Sequence, residues 1–264
     1  MAAPELAPWV LFVICAVALA GGLTQGTFGF GYPAISTPIL VLVTDVKTAI
    51  IANLLPNLAV NLISIIRGGN WGANMLPHWP VAVYVLVGSF LGANFLLVAP
   101  GEPLRLMLGL MIFVFLYQDR LAKLDWGWLT RRKPLAQALF GLGAGFFSGT
   151  VNLSLPVLLS SFMLLGIAPV AMSQIMNLCF FGGRVVQAAT VGAAGALPLN
   201  LVVVTLFPAV LAITGLLVGF RLNRLFDTRS YNVWLKRILF VMAIVLIVQG
   251  ARWFLAGFPD GTPH

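Results

Sequence analysis

What most constrains this chain is where its charge is missing. Apolar stretches follow one another from Trp9 to Phe254, and the ionisable side chains gather at their ends. Only 8% of the 264 residues are charged and 60% are hydrophobic, against about 25% and about 45–50% in an ordinary soluble domain. So few charges cannot coat a water-facing surface of this size, which excludes a soluble globule and turns most of the surface toward lipid. The net charge of +8 falls in two blocks. One holds Arg120, Lys123, Arg131, Arg132 and Lys133; the other holds Arg221, Arg224, Arg229, Lys236 and Arg237. Lying between apolar stretches, they read as cytoplasmic membrane loops under the positive-inside rule and not as a nucleic-acid face.

The apolar segments are Trp9–Thr24, Tyr32–Val43, Thr48–Ile66, Trp79–Val98 and Leu104–Gln118, then Leu135–Phe147, Asn152–Leu165, Ala168–Val191, Leu199–Phe220 and Val233–Phe254. The first has Glu5 ahead of it and no basic residue, so it reads as a retained membrane segment and not a signal peptide. Several are too short to cross a bilayer of about 30 Å. The short ones form two pairs, broken at Gly26–Pro33 and at Ser148–Asn152, each pair being a re-entrant hairpin or one kinked helix. Counting spans back from Arg221 places the turn at Gly166 in the cytoplasm with both basic blocks. Both chain termini and Val43 then fall outside, and the halves have opposite orientation.

A weak internal repeat agrees with this. Pro38 matches Pro156, Gly88 and Gly92 match Gly215 and Gly219, and Leu104-Arg105 matches Leu235-Lys236, in the same order. Gly-xxx-Gly pairs also recur simply because membrane helices pack closely. The expectation is an all-α integral membrane protein of two inverted repeats, residues 1–118 and 135–264, joined by a basic cytoplasmic linker, 119–134. Each repeat would hold a broken or re-entrant helix pair and three spanning helices.

Broken helices near the bilayer middle are tolerated only where protein or water covers them, and their N-termini attract anions. The candidate substrate-binding residues are therefore Gln25, Gly29, Gly31 and Tyr32 at the first break and Ser148, Thr150, Asn152 and Ser154 at the second. Asn53 and Asn57, with Asn61, share one helical face, and Gln174 and Asn177 sit on a comparable helix. Such polar stripes either line a cavity or tie helices together. Arg184 is the basic residue well inside an apolar segment, a costly placement that makes it the leading charge partner for an anion, with snorkelling as the alternative. Arg67 ends a helix and reads as a head-group anchor. The seven carboxylates all lie at segment ends or in loops, so a buried proton relay has nothing to run on. Cys15 and Cys179 have no ligand-spaced partners, and no catalytic set, metal motif or cofactor motif is legible.

The spacing Gly22-xxx-Gly26-xx-Gly29-x-Gly31, followed by Pro38-Ile39-Leu40, an Ala-rich helix and a Gly-containing turn before tryptophan, resembles the TauE/SafE family of bacterial membrane permeases. The chain departs from the usual pattern at Tyr32 and Pro33, and its second copy has Ser148, Thr150 and Asn152 in place of glycines. The resemblance implies a multi-pass protein of the bacterial cytoplasmic membrane that is not an enzyme. It would move small sulfur anions such as sulfite, sulfoacetate or other sulfonates, often outward. Its partners would be the anion and the lipid bilayer, without nucleic acid or cofactor. A uniporter is the simplest scheme; a passive channel or a non-transporting membrane assembly subunit are the alternatives.

Overall fold

The computed structural model describes residues 7–121, 132–223 and 228–255. Among them the chain is helical, with no strand. The first half runs α1 (Pro8–Phe28), α2 (Tyr32–Val43), α3 (Val46–Ala52), α4 (Leu54–Gly68), α5 (Trp71–Asn74), a 3-10 turn (Leu76–His78), α6 (Trp79–Val98) and α7 (Gly101–Leu121). The second runs α8 (Lys133–Val151), α9 (Leu155–Leu164), α10 (Pro169–Ala193), α11 (Leu199–Val204), α12 (Leu206–Leu222) and α13 (Thr228–Leu255). Among the described residues, five stretches are long and apolar enough to cross a membrane: Pro8–Phe28, Val46–Gly68, Trp71–Val98, Gly101–Gln118 and Leu199–Leu222. Helix α10 spans 25 residues, but Gln174, Asn177, Arg184 and Gln187 lower its hydropathy. Large apolar side chains such as Phe12, Phe90, Leu91, Phe207 and Val241 are exposed on the outside, as lipid-facing surfaces require.

The apolar pattern locates α2 and α6 to the residue. It misjudges the first member of each short pair. Helix α1 runs on through its glycines to Phe28, and α8 runs on to Val151, giving 21 and 19 residues, about 31 and about 28 Å. Only the second members are short, α2 at 12 residues and α9 at 10. The glycines do not end these helices because they are packed at backbone level: a Cβ on Gly22 or Gly26 would overlap the carbonyl of Ala212 or Leu216 in α12. A small-residue face of this kind stabilises a membrane helix through its neighbour.

The first pair is a hairpin and not a kinked helix. After α1 the chain turns through Gly29 and Gly31, with φ of +84° and +116°, a region that side-chain-bearing residues rarely enter. It then climbs back: the Tyr32 carbonyl lies 3.4 Å from where a Cβ on Gly21 would stand, seven residues or about 10 Å above the end of α1. The N-terminus of α2 is therefore about a third of the way back along α1, and Pro33 occupies its first turn without a missing donor. At the second break Asn152 caps α8 with φ of +61°, a role that asparagine fills next best to glycine.

The helices sort into groups that mix the two halves. Helix α1 packs on α12 and α8 packs on α6, each along reciprocal glycines: Gly22 and Gly26 against Gly215 and Gly219, and Gly145 and Gly149 against Gly88 and Gly92. Helix α4 joins the first pair and α10 the second, while α2 contacts α13, α9 contacts α7, and α7 packs on α13. The groups meet where α4 crosses α10.

Candidate functional site

Most of the polar side chains that the sequence places in apolar segments meet along this α4–α10 crossing, while Thr150 bonds back to the Phe146 carbonyl of its own helix at 2.8 Å. Gln25, Asn53, Asn57, Ser148, Thr150, Asn152 and Ser154 are each no more than 3% exposed, and Tyr32, Asn177 and Arg184 are equally enclosed. In an apolar interior such groups must satisfy one another. Gln25, on the last turns of α1, does most of this at the first break. Its Oε1 accepts from the Tyr32 backbone N–H at 3.0 Å, and its Nε2 donates to Asn61 Oδ1 at 3.0 Å and Asn177 Oδ1 at 2.6 Å. The N-terminus of α2, expected to hold an anion, thus meets a neutral side-chain oxygen at Tyr32.

From there a ladder of amides crosses to the second break. Asn61 Nδ2 donates to the carbonyl oxygen of Asn57 at 2.8 Å and to its Oδ1. Asn57 Nδ2 donates to Asn152 Oδ1 at 3.1 Å, and Asn152 Nδ2 donates to Thr37 Oγ1 at 3.0 Å. Thr37 Oγ1 also accepts from Asn53 at 3.4 Å. The four-residue spacing of Asn53, Asn57 and Asn61 thereby becomes one hydrogen-bonded face joining both breaks. Separately, the Arg184 guanidinium donates to the Ser148 carbonyl, to Ser148 Oγ at 3.1 Å and to Gln187 Oε1. Gln187 Nε2 donates to the Gly149 carbonyl at 2.6 Å. Arg184 is therefore enclosed on the second break, among neutral acceptors.

A cavity of about 530 Å³ opens at one end of this ladder. The ends of α1, α4 and α12 form one wall, with Gly26, Gly29, Ser64, Arg67 and Phe220, and the first turns of α10 form the other, with Ser173, Gln174 and Asn177. Of the sequence candidates, Gly29, Gln174 and Asn177 line it; the residues of the second break do not. The Gly29 carbonyl accepts from Asn177 Nδ2 at 2.8 Å and Ser173 Oγ at 3.1 Å. Gln174 Nε2 donates to the Gly69 carbonyl at 2.9 Å. Arg67 is exposed to the cavity, its guanidinium carbon 4.2 Å from the centre of the Phe220 ring. That stacking holds the fork in place over an aromatic face.

Thr37, Ser173 and Gln187 join the site without being among the sequence candidates, and Arg67, expected at the head groups, lines the cavity. Gln187 carried a signal, since it lies three residues after Arg184 on the same helical face. Ser173 carried a weaker one, as a hydroxyl one turn before Asn177. Phe220, the partner of Arg67, is too distant along the chain for any local pattern to pair them.

Comparison with known families matches residues 14–250 to the family described as sulfite exporter TauE/SafE. The chain belongs to the TauE/SafE family. No curated protein and no solved structure matches it. TauE/SafE proteins are membrane transporters and not enzymes, and a multi-pass helical bundle with a polar cavity between helix groups agrees with that class. Among the described residues no group of three or more His, Cys, Asp or Glu is placed to hold a metal ion.

Proposed function

We propose that this TauE/SafE protein exports small sulfur oxyanions, sulfite or organosulfonates such as sulfoacetate, across the bacterial cytoplasmic membrane. The observation that carries this reading is the cavity ending on a buried amide ladder, with Arg67 as the cation in its wall. A sulfonate is ionised at every physiological pH and cannot cross hydrocarbon unaided. Its oxygens suit a planar guanidinium and neutral donors, which hold an anion without the strength of a full ion-pair cage. On this reading the two halves, 1–118 and 135–264, are inverted repeats, and the swapped pairing of α1 with α12 and α8 with α6 is the contact such symmetry generates. The ends of α4 and α12 face the cytoplasm with Arg221, so the cavity opens inward.

The test is thermal stabilisation of the detergent-solubilised chain by sulfite, sulfoacetate, ethanesulfonate, sulfate and acetate, followed by flux in liposomes holding this chain alone. Sulfite or a sulfonate should raise Tm at concentrations where acetate does not, in line with mass-action linkage. The same anion should then cross the liposome membrane saturably. Stabilisation without flux would mark a non-transporting subunit, and flux that never saturates would mark a channel.

A further inference from the structure

A second, much smaller space lies at the opposite end of the same crossing from the cavity. A residual void of about 10 Å³ lies among Ile50, Leu54, Leu96, Gln187, Ala188 and Val191. Helices α4 and α10 run past each other so that the open cavity takes the end of α4 and the start of α10. The void takes the start of α4, with α3, and the end of α10. Both spaces lie between the same two helix groups, α1, α2, α4 and α12 on one side and α6, α8, α9 and α10 on the other.

The arginines correspond in the same way. Arg67 is in the C-terminal part of α4 beside the first break and faces open space. Arg184 lies past the middle of α10 beside the second break, and Ser148 and Gln187 hold its donors.

Along the two glycine seams, α1 with α12 and α8 with α6, the helices cannot slide apart cheaply. Reciprocal glycines put backbone on backbone, and movement there would forfeit close packing along the whole seam. Between the groups the polar contact at the crossing is a set of exchangeable side-chain amide bonds, Gln25 to Asn177, Asn57 to Asn152 and Gln174 to Gly69, set beside apolar packing that includes Ile50, Leu96, Ile175 and Met176. Such bonds are individually modest in membrane proteins, because each amide also finds partners in the separated state.

We infer that the space around Ile50, Leu54, Leu96, Gln187, Ala188 and Val191 is the outer half of the anion pathway, closed in this state. The two groups rock about the α4–α10 crossing, which opens the outer space as the inner one closes and turns Arg184 into the outward-facing anion seat. This rests on the transport reading for its solute, though not for its motion. Rigid groups around a central site are a general solution to alternating access, and here the glycine seams define the groups and the void locates the outer gate.

The experiment uses the full chain with Cys15→Ser and Cys179→Ala. A thiol is placed in the inner cavity by Ser173→Cys, and a wedge is placed in the outer void by Ala188→Trp, or by Ala188→Leu if the larger side chain prevents folding. The wedge should hold the outer side open, and a membrane-impermeant maleimide applied from the cytoplasmic side should modify Ser173→Cys at least fivefold more slowly. An unchanged rate in a folded, monodisperse wedge variant overturns the inference, whatever the solute is. In a second arm, Leu54→Cys and Ala188→Cys are bridged by a short bifunctional maleimide, which pins the outer gate shut. Ethanesulfonate flux should then fall at least tenfold relative to either single cysteine given the same reagent, and flux that survives the bridge overturns the inference. If ethanesulfonate does not cross through the unmodified chain, the transport reading fails for that solute, while the wedge arm still decides the motion.

Discussion

Arg67 and Arg184 differ in what their guanidinium groups meet: the Phe220 ring and the cavity for Arg67, the acceptors of Ser148 and Gln187 for Arg184. Both are single basic side chains beside a helix break, but only Arg67 faces open space in this state. Arg67→Ala should weaken anion binding by about ten- to a hundredfold, the range for losing a charge-assisted hydrogen-bonding group. Arg67→Lys should restore part of it, because the ammonium keeps the charge but neither forks nor stacks as well on Phe220. Titration calorimetry with ethanesulfonate would read both; wild-type affinity in the alanine variant would return Arg67 to the head groups. Gln25 makes a different prediction. Replacing it with leucine removes the acceptor for the Tyr32 N–H and the donor to Asn61 and Asn177, leaving buried polar atoms unpaired at a cost of about 1–3 kcal/mol each. Gln25→Leu should therefore lower Tm by several degrees more than Asn94→Leu, whose side chain is exposed and bonds only within its own helix at 2.8 Å to the Phe90 carbonyl. The polar residues were legible because amides are rare and costly in apolar segments. Which of them line space was not legible, since a stripe that ties helices and one that faces a cavity have the same spacing.

At the scale of helices, proline marks some starts and glycine hides some ends. Pro33 near the start of α2 and Pro80 near the start of α6 mark first turns, where a missing N–H costs nothing. The ends of α1 and α8 were hidden in runs of glycine that look like breaks and are contact surfaces. Only the partner helix, far along the chain, distinguishes the two. Substitution can separate them experimentally. Gly26→Ala and Gly145→Ala each drive a methyl into facing backbone and should destabilise by about 1–3 kcal/mol, the cost of overpacking a tight interface. Gly143→Ala, also in α8 but with nothing within 4 Å of the added methyl, should be neutral or stabilising by up to about 1 kcal/mol. Thermal melts of the three variants in one detergent would show the contrast. Equal losses at all three would mean that helix propensity, not the seam, sets the effect. The linker residues Lys123, Asp125 and Arg131, with Arg224, Asp227 and both chain termini, lie outside the described residues. The charge-based orientation therefore stands as a proposal; an impermeant thiol reagent reaching a cysteine at Gly166 from outside the cell would refute it.

At the scale of the whole molecule, the placement of acids bears on how transport is driven. Asp45 is exposed and caps α3, accepting from the Thr48 N–H at 2.9 Å, and Glu102 lies in the first turn of α7. The other five acids of the sequence are in segment ends or connecting stretches as well. A carrier whose polar ladder consists of amides and hydroxyls offers a coupling proton no carboxylate at mid-depth. The simplest remaining scheme is uniport of the anion along its electrochemical gradient. Moving one negative charge out of an inside-negative compartment gains about 2.3 kcal/mol per 100 mV, which sustains about a fiftyfold concentration ratio with no second ion. Proteoliposomes loaded with ethanesulfonate should then release it faster when a valinomycin–potassium gradient makes the interior negative. Reversing the potential should slow release, and a pH gradient at zero potential should change it little. The dependence on potential should persist in Arg67→Lys, because the charge that crosses belongs to the solute and not to the protein. Release that follows the pH gradient and ignores the potential would sink uniport. It would mean that a proton crosses with each anion, or a hydroxide crosses against it, and cancels its charge by way of the water of the cavity, since ethanesulfonate itself stays ionised.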